Sequence, residues 1–93
     1  MSKIIRSIKR LLGIYETGYE YWINTKEIKV NPEWRKTMIG KVKFKKKLQY
    51  WYRTGEFESS IILDRDFNLL DGYSSMRIAE IKEIDKVPVY FVD

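Results

Sequence analysis

The sequence of 93 residues contains no cysteine and no histidine. Without cysteine the chain has no disulfide framework, no thiolate nucleophile and no cysteine-based metal site. Without histidine it also lacks the commonest general base and the commonest metal ligand. No Ser/His/Asp, Cys/His or glycine-rich phosphate-loop pattern is present either. These absences favour a protein that is not an enzyme, and we expect neither a metal nor a cofactor.

The sequence also lacks a long apolar run. Nothing approaches the 18 or more apolar residues of a membrane-spanning helix. The opening segment, MSKIIRSIKRLLGIY, alternates charged and apolar residues, unlike the unbroken apolar segment of a signal peptide. A hydrophobic content of 44% and an aromatic content of 15% suit one compact domain. We therefore expect a cytoplasmic protein without a transmembrane segment.

Acidic residues are scarce in the first half of the chain. Residues 1–53 carry a net charge of +10 and residues 54–93 a net charge of −5. Between residues 35 and 53 there are eight basic residues and no acid. A patch of one sign indicates an anionic partner such as nucleic acid, a membrane surface or an acidic protein. The other interpretation, which stays open, is a solubilising face balanced by the acidic half.

The N-terminal segment has a helical period over residues 3–12. Its apolar side chains are Ile4, Ile5, Ile8, Leu11 and Leu12, and Gly13 is a plausible stop. We divide the chain into a basic amphipathic helix and linker at 1–18 and a domain at 19–93. A helix this short needs a surface to pack on. That surface is either its own domain, or a membrane or partner groove.

Secondary structure alternates along the rest of the chain. The patterns predict a strand at 21–23, a connector at 31–41 and a helix at 41–55. Two apolar runs at 61–63 and 67–70 flank the sequence DRD, which is typical of a tight hairpin. A helix follows at 73–84, capped by Asp71 or Ser74, and the segment KVPVYFVD closes with a strand in which Pro88 suits an edge or an entrance. The expected fold is a small mixed α/β domain whose helices cover a sheet with a β-hairpin.

Four segments carry a resemblance to a known superfamily. They are INTKEIKV, KKKLQYWYRTGEF, SSIILDRDFNLLDGY and RIAEIKEIDKVPVYFV. With these segments, residues 22–92 resemble the ParB N-terminal/sulfiredoxin-like (ParB nuclease-like) superfamily. The resemblance covers about three quarters of the chain, and ILDRDFNLLDGY is its most specific part. It implies a mixed sheet covered by helices, in a minimal free-standing version of the kind seen as accessory proteins of phages or mobile elements.

This sequence departs from the superfamily at the positions that carry the superfamily's chemistry. Sulfiredoxin-like reduction needs a cysteine in the loop after the DGY motif, and the chain has none. Nucleotide-binding members continue from the glycine into a His-Arg or Glu-Arg-Arg sequence that holds phosphates at a helix N-terminus. Here Ser74 and Ser75 stand in those positions, and Arg77 comes two residues later. Two interpretations stay open: a phosphate site made by Gly72, Ser74, Ser75 and Arg77, or an ordinary strand-to-helix turn.

The basic helix is the strongest functional signal in the sequence. Its cationic residues can meet successive phosphates, and Tyr50 lies between them in a position to stack on a base. Two preceding basic residues extend the same patch. The predicted nucleic-acid-binding residues are Arg35, Lys36, Lys43, Lys46, Lys47, Tyr50 and Arg53. The pattern predicts salt-sensitive binding without strong sequence specificity.

Two other functions remain as alternatives. A protein-interaction or inhibitor domain would dock on a host protein through the N-terminal helix or through the aromatic residues Tyr19, Tyr21, Trp22 and Trp34. A residual nucleotide-binding or nuclease activity would centre on residues 71–77. The carboxylates of Asp64, Asp66 and Asp71 are more typical of a turn than of a magnesium site.

Overall fold

A computed structural model of the chain describes residues 15–37 and 39–92. It contains strands β1 (Tyr21–Asn24), β2 (Ile61–Leu63), β3 (Leu69–Asp71) and β4 (Lys86–Phe91). Its α-helices are α1 (Pro32–Arg35), α2 (Lys41–Thr54) and α3 (Tyr73–Ile81), and a single 3₁₀ turn spans Thr25–Glu27. Within those residues no helix has the length and apolar content that crossing a membrane requires. The predicted N-terminal helix at 3–12 lies outside the described residues.

The four strands form one mixed sheet in the order β1-β4-β2-β3. β4 pairs antiparallel with β1 and parallel with β2, and β2 and β3 form the predicted antiparallel hairpin. The prediction that Pro88 marks an edge strand is wrong, because β4 is a central strand. The alternative that it marks the strand entrance agrees with its position near the start of β4. The sheet tolerates it there because the ladder with β2 begins only at Val89, so Pro88 precedes it.

Alternate residues of the strands face the core, as the two-residue period of a strand requires. Val87, Val89 and Phe91 of β4 are fully buried, and Ile61 and Leu63 of β2 lie beside them. Helix α3 covers this face and buries Ser75, Met76, Ile78 and Ala79. The residues between them, Trp22, Ile62, Pro88 and Tyr90, face the other side of the sheet, where Trp22 is 60% exposed. On this other face Ile62, Pro88 and Tyr90 are half-buried.

The chain is already packed into the domain at Tyr15. Its ring stacks on Phe91 with centroids 4.4 Å apart and meets Tyr21 edge-on at 5.0 Å. Tyr15 is 3% exposed. Tyr15 is thus part of the core, although it falls within the predicted helix and linker at 1–18.

The DRD segment forms the tight turn that its composition predicts. One carboxylate oxygen of Asp64 accepts hydrogen bonds from the backbone N–H groups of Asp66 and Asn68, at 2.9 Å each. Its other oxygen accepts from the Asn68 side chain at 3.0 Å. Burial alone would raise the pKa of Asp64, but these hydrogen bonds outweigh it and lower the pKa. Asp64 therefore stabilises the hairpin, and in the described part of the chain no acidic cluster is arranged to hold a metal ion.

Candidate nucleic-acid interface

Helix α2 presents one apolar and one cationic side. It begins after Gly40 and ends at Gly55, whose left-handed conformation (φ 75°) lets its N–H reach the Trp51 carbonyl at 2.8 Å. Phe44, Leu48 and Trp51 recur at helical spacing and are half-buried. The helix packs against α3, and no residue of it is fully buried. Most of its circumference consequently remains exposed.

Four residues form a line along the outer side of α2. Lys43, Lys46, Tyr50 and Arg53 follow one another at intervals of three, four and three residues, which places them on one face of the helix. We call these four residues the basic stripe. The three cations are exposed, and no carboxylate among residues 15–37 and 39–92 is paired with any of them. The Arg53 guanidinium lies 5.7 Å from the centroid of the Tyr50 ring.

The charges of the basic stripe oppose the stability of the helix that carries them. The first turn of α2 contains no acidic residue, so Lys43 lies near the positive end of the helix dipole without compensation. Neighbouring lysines three and four positions apart also repel one another. Each of these effects costs about 0.2–1 kcal/mol. The arrangement is unfavourable for folding and favourable for binding an anion.

Lys47 does not belong to the basic stripe, although its sequence position adjoins Lys46. One further residue turns the helix by about 100°, which directs Lys47 toward the interior. Its Nζ donates to the Ser59 Oγ at 2.7 Å and to the Ser74 Oγ at 3.1 Å. Lys47 therefore joins α2 to the segment before β2 and to the first turn of α3.

Arg35 and Lys36 are engaged in ion pairs and do not extend the stripe. Arg35, in α1, donates through both terminal nitrogens to the carboxylate of Glu80, at 2.8 and 3.2 Å. Arg77 donates to the same carboxylate at 3.2 Å. Lys36 pairs with Glu33 at 3.4 Å in an exposed contact. The seven predicted nucleic-acid-binding residues therefore fall into three groups. Four form the basic stripe, Lys47 turns inward, and Arg35 and Lys36 are paired with acidic residues.

Glu80 is the residue of this region that no sequence pattern indicates. Burial alone would raise its pKa, but the hydrogen bond and charge of Arg35, followed by those of Arg77, outweigh burial and lower the pKa. The hydrogen bond with Glu80 in turn raises the pKa of Arg35. The two partners lie 45 residues apart in sequence, so no local pattern indicates the pair.

At the start of α3, Gly72 and Ser75 make the contacts of an ordinary strand-to-helix turn and not those of a phosphate site. Gly72 occupies the N-cap position with φ 85°, and a Cβ there would lie 2.3 Å from the Ser60 carbonyl oxygen. The prediction that Asp71 or Ser74 caps the helix is wrong, because Asp71 accepts from the Gly72 N–H and Ser74 contacts Lys47. The Ser75 hydroxyl is buried and donates to the Ser59 carbonyl at 2.6 Å.

Among the described residues, Ser74 is the one predicted phosphate-binding residue that contacts a cation without an acidic partner. Ser74 is half-buried and lies against the Lys47 ammonium. Gly72 and Ser75 are buried, and Arg77 is paired with Glu80. The structure therefore does not bring the four residues together as one phosphate cradle.

The aromatic residues of the alternative docking surface are also divided. Tyr21 packs against Tyr15 and Phe91, and Trp34 meets Tyr73 edge-on at 6.0 Å. Tyr19 and Trp22 are 61% and 60% exposed. The other part of that alternative, the N-terminal helix, lies outside the described residues.

Comparison with solved structures identifies the fold. A Pnob8-like ParB-N domain in a C2221 crystal form matches 81% of this chain at 17% identity, with a TM-score of 0.67. A pNOB8-like ParB N-domain matches 81% at 22% identity, with a TM-score of 0.57. The C-terminally truncated chromosome-partitioning protein ParB from Caulobacter crescentus, complexed with CTP-gamma-S, matches 82% at 12% identity, with a TM-score of 0.62. The chain has the fold of a ParB N-domain.

The ParB-like fold confirms the resemblance seen in the sequence. The chain spans 30%, 28% and 45% of the three matched structures, respectively, so it corresponds to one part of each. No protein-family model matches the chain, and no curated protein matches it. At these identities the likeness establishes the fold alone.

Proposed function

We propose that the protein binds nucleic acid through the basic stripe, without strong sequence specificity. The observation that carries this proposal is the exposure of Lys43, Lys46 and Arg53 on one face of α2, with no carboxylate paired to them in the described part of the chain. The phosphate backbone supplies the largest sequence-independent contribution to binding nucleic acid. Among residues 15–37 and 39–92, no base-reading helix-turn-helix arrangement accompanies the stripe.

The length of the stripe suits a short stretch of phosphate backbone. Ten residues separate Lys43 from Arg53, which is about 15 Å along an α-helix. Each strand of a duplex presents about four phosphates over that distance. Three cations then neutralise about three phosphates, and the logarithm of affinity should fall with the logarithm of salt concentration with a slope of about −2 to −3.

The competing interpretation is a solubilising face, and the position of the charges argues against it. A face that serves only solubility gains nothing from cations at the positive end of a helix dipole, where acidic residues would serve as well and stabilise the helix. A polyanion, in contrast, relieves the repulsion among the lysines when it binds. The stripe is best explained by such a partner.

The test measures binding of a labelled DNA duplex and a labelled single strand at low and moderate salt. The variant Lys43→Glu/Lys46→Glu should lose binding, and its fold is secure because both side chains are exposed and glutamate suits the first turn of a helix better than lysine. The matched control, Lys26→Glu/Lys29→Glu, makes the same change of charge at exposed positions outside α2. Binding that is absent at low salt, or that the two variants lose equally, would refute the proposal.

A second candidate function is the binding of a phosphate-bearing small molecule at the start of α3. One observation favours it: the Lys47 ammonium lies 3.1 Å from the Ser74 hydroxyl beside the N-terminus of that helix. The CTP-gamma-S in one of the matched structures makes CTP the probe to use. Calorimetric titration with CTP should give heat that Ser74→Ala weakens and that Lys47→Met abolishes. Absence of heat with the unchanged protein would reject this candidate.

A further inference from the structure

A cleft lies where the face of the sheet that carries Trp22 meets the C-terminal end of α2. Its volume is about 730 Å³, within the range of ligand-binding pockets. Trp22 of β1, Pro88 and Tyr90 of β4, and Trp51 of α2 contribute its apolar surfaces. We call this the aromatic cleft. The proposed nucleic-acid-binding function does not use it.

Trp22 supplies a flat surface that is available for stacking. It is 60% exposed and makes no ring contact among residues 15–37 and 39–92. It lies opposite Pro88 in the β1–β4 register. An exposed indole beside a proline and a tyrosine is a surface on which a planar ligand gains apolar contact area.

The charges of the aromatic cleft favour an uncharged ligand with hydrogen-bond donors. Among the residues that the structure describes, Glu20 and Glu56 contribute two carboxylates to its lining and Lys86 contributes one cation. Glu20 is held in place by the Tyr90 hydroxyl, which donates to it at 3.3 Å. The carboxylates repel phosphate and accept hydrogen bonds from amino groups such as N4 of cytosine.

The aromatic cleft lies at the C-terminal end of the helix that carries the basic stripe. Thr54 and Gly55 line the cleft and directly follow Arg53, the last cation of the stripe. A nucleic-acid strand whose phosphates lie along α2 therefore reaches the cleft at the end of the helix. A base in a duplex is paired and stacked, so only an unpaired base can enter.

We propose that the aromatic cleft binds an unpaired nucleobase, so that the protein prefers single-stranded nucleic acid and, within it, cytosine over thymine. This inference rests on the proposed function, because the basic stripe supplies the phosphate contacts. Trp22 stacks on the base, and Glu20 and Glu56 accept hydrogen bonds from its exocyclic amino group. The phosphates remain outside the cleft.

The test compares oligocytidylate, oligothymidylate and a duplex of equal length, with the fluorescence of tryptophan as the readout. The background variant Trp34→Phe removes the one tryptophan outside the cleft, leaving Trp22 and Trp51 as reporters. Oligocytidylate should quench this fluorescence more than the duplex does. Stacking on one aromatic residue corresponds to roughly a 10-fold gain in affinity.

Three variants separate stacking, base preference and a general loss of aromatic surface. Trp22→Ala should weaken binding of single strands about 10-fold and leave duplex binding unchanged. Tyr19→Ala, a matched control at an equally exposed position outside the cleft, should change neither. Glu20→Gln/Glu56→Gln should reduce the preference for oligocytidylate over oligothymidylate.

The outcomes distinguish failure of the inference from failure of the proposed function. If Lys43→Glu/Lys46→Glu abolishes binding while Trp22→Ala leaves single-strand binding unchanged, the cleft is not a base site and the basic stripe stands. Equal affinity for oligocytidylate and oligothymidylate would overturn the role of the two carboxylates. If neither single strand nor duplex binds at low salt, both proposals are wrong.

Discussion

Replacement of Gly72 by alanine tests how the strand-to-helix turn is built, because Gly55 provides a matched control. Both glycines have positive φ angles, 85° and 75°. A Cβ at Gly55 would have nothing within 4 Å, whereas a Cβ at Gly72 would lie 2.3 Å from the Ser60 carbonyl oxygen and 2.9 Å from the Ile61 Cα. The two variants thus share the cost of a left-handed conformation and differ in a collision with backbone.

The magnitudes follow from these two effects. The left-handed conformation costs alanine about 1–2 kcal/mol at either position. At Gly72 the collision adds about 1–3 kcal/mol, because backbone atoms of the neighbouring segment have to move. Alanine also lowers the conformational entropy of the unfolded chain, and this offsets part of the loss of stability by the same amount in both variants. We therefore expect Gly72→Ala to be less stable than Gly55→Ala by about 1–3 kcal/mol.

Urea denaturation followed by circular dichroism measures this difference, and thermal denaturation should show a gap in Tm of at least about 4 °C. The comparison between variants is independent of the absolute stability of the domain. If the two alanine variants differ by less than about 0.5 kcal/mol, the close approach of Gly72 to Ser60 is not what requires glycine. The turn would then be a tolerant junction and a better candidate for a ligand-binding loop.

Three further predictions concern charge. Glu80→Gln should lower the free energy of unfolding at pH 7 by about 1 kcal/mol, measured by urea denaturation. Because the folded-state pKa of Glu80 is lowered, the difference in stability between the variant and the unchanged protein should shrink as pH falls below about 4. Asp64→Ala should cost about 1–2 kcal/mol by loss of the turn hydrogen bonds. Because the folded-state pKa of Asp64 is lowered, this cost should shrink as pH falls below about 4, and a cost that grows over that range would contradict the lowered pKa. Lys43→Glu/Lys46→Glu should raise Tm in the absence of nucleic acid, and a fall in Tm would contradict the unfavourable placement of these lysines on α2.

The elements that the sequence predicts correctly are those with a strong local pattern. The helix expected at 41–55 is observed as Lys41–Thr54, because its apolar residues recur at helical spacing and Gly55 ends it. The DRD turn forms because Asp64 satisfies its own backbone neighbours. The segment expected to be a connector contains the one-turn helix Pro32–Arg35, whose Asn31 cap and first-turn proline are local signals too short to outweigh the surrounding polar residues.

The features that the sequence does not predict depend on contacts between distant residues. Periodicity places Phe44, Leu48 and Trp51 on one face of α2, but it does not tell whether Lys47 at the border of that face turns inward. Its partners, Ser59 and Ser74, are 12 and 27 residues away. The sheet order is equally non-local, and it is this order that places Pro88 in a central strand. For the candidate site, the sequence supplies the cations, and the packing decides which of them stay exposed.

The distribution of bound and unbound cations is the strongest reason to assign a function to α2. Four basic residues near it already have partners: Arg35 and Arg77 on Glu80, Lys36 on Glu33, and Lys47 on two serines. These contacts tie elements of the domain together, since Arg35 joins α1 to α3 and Lys47 joins α2 to α3. The cations of the basic stripe make no hydrogen bond or ion pair to another described element, and they lie on a helix that their charge destabilises. A group of charges that costs folding free energy and holds no part of the domain is best explained by a partner outside the chain, and its spacing along about 15 Å of helix fits a run of phosphates.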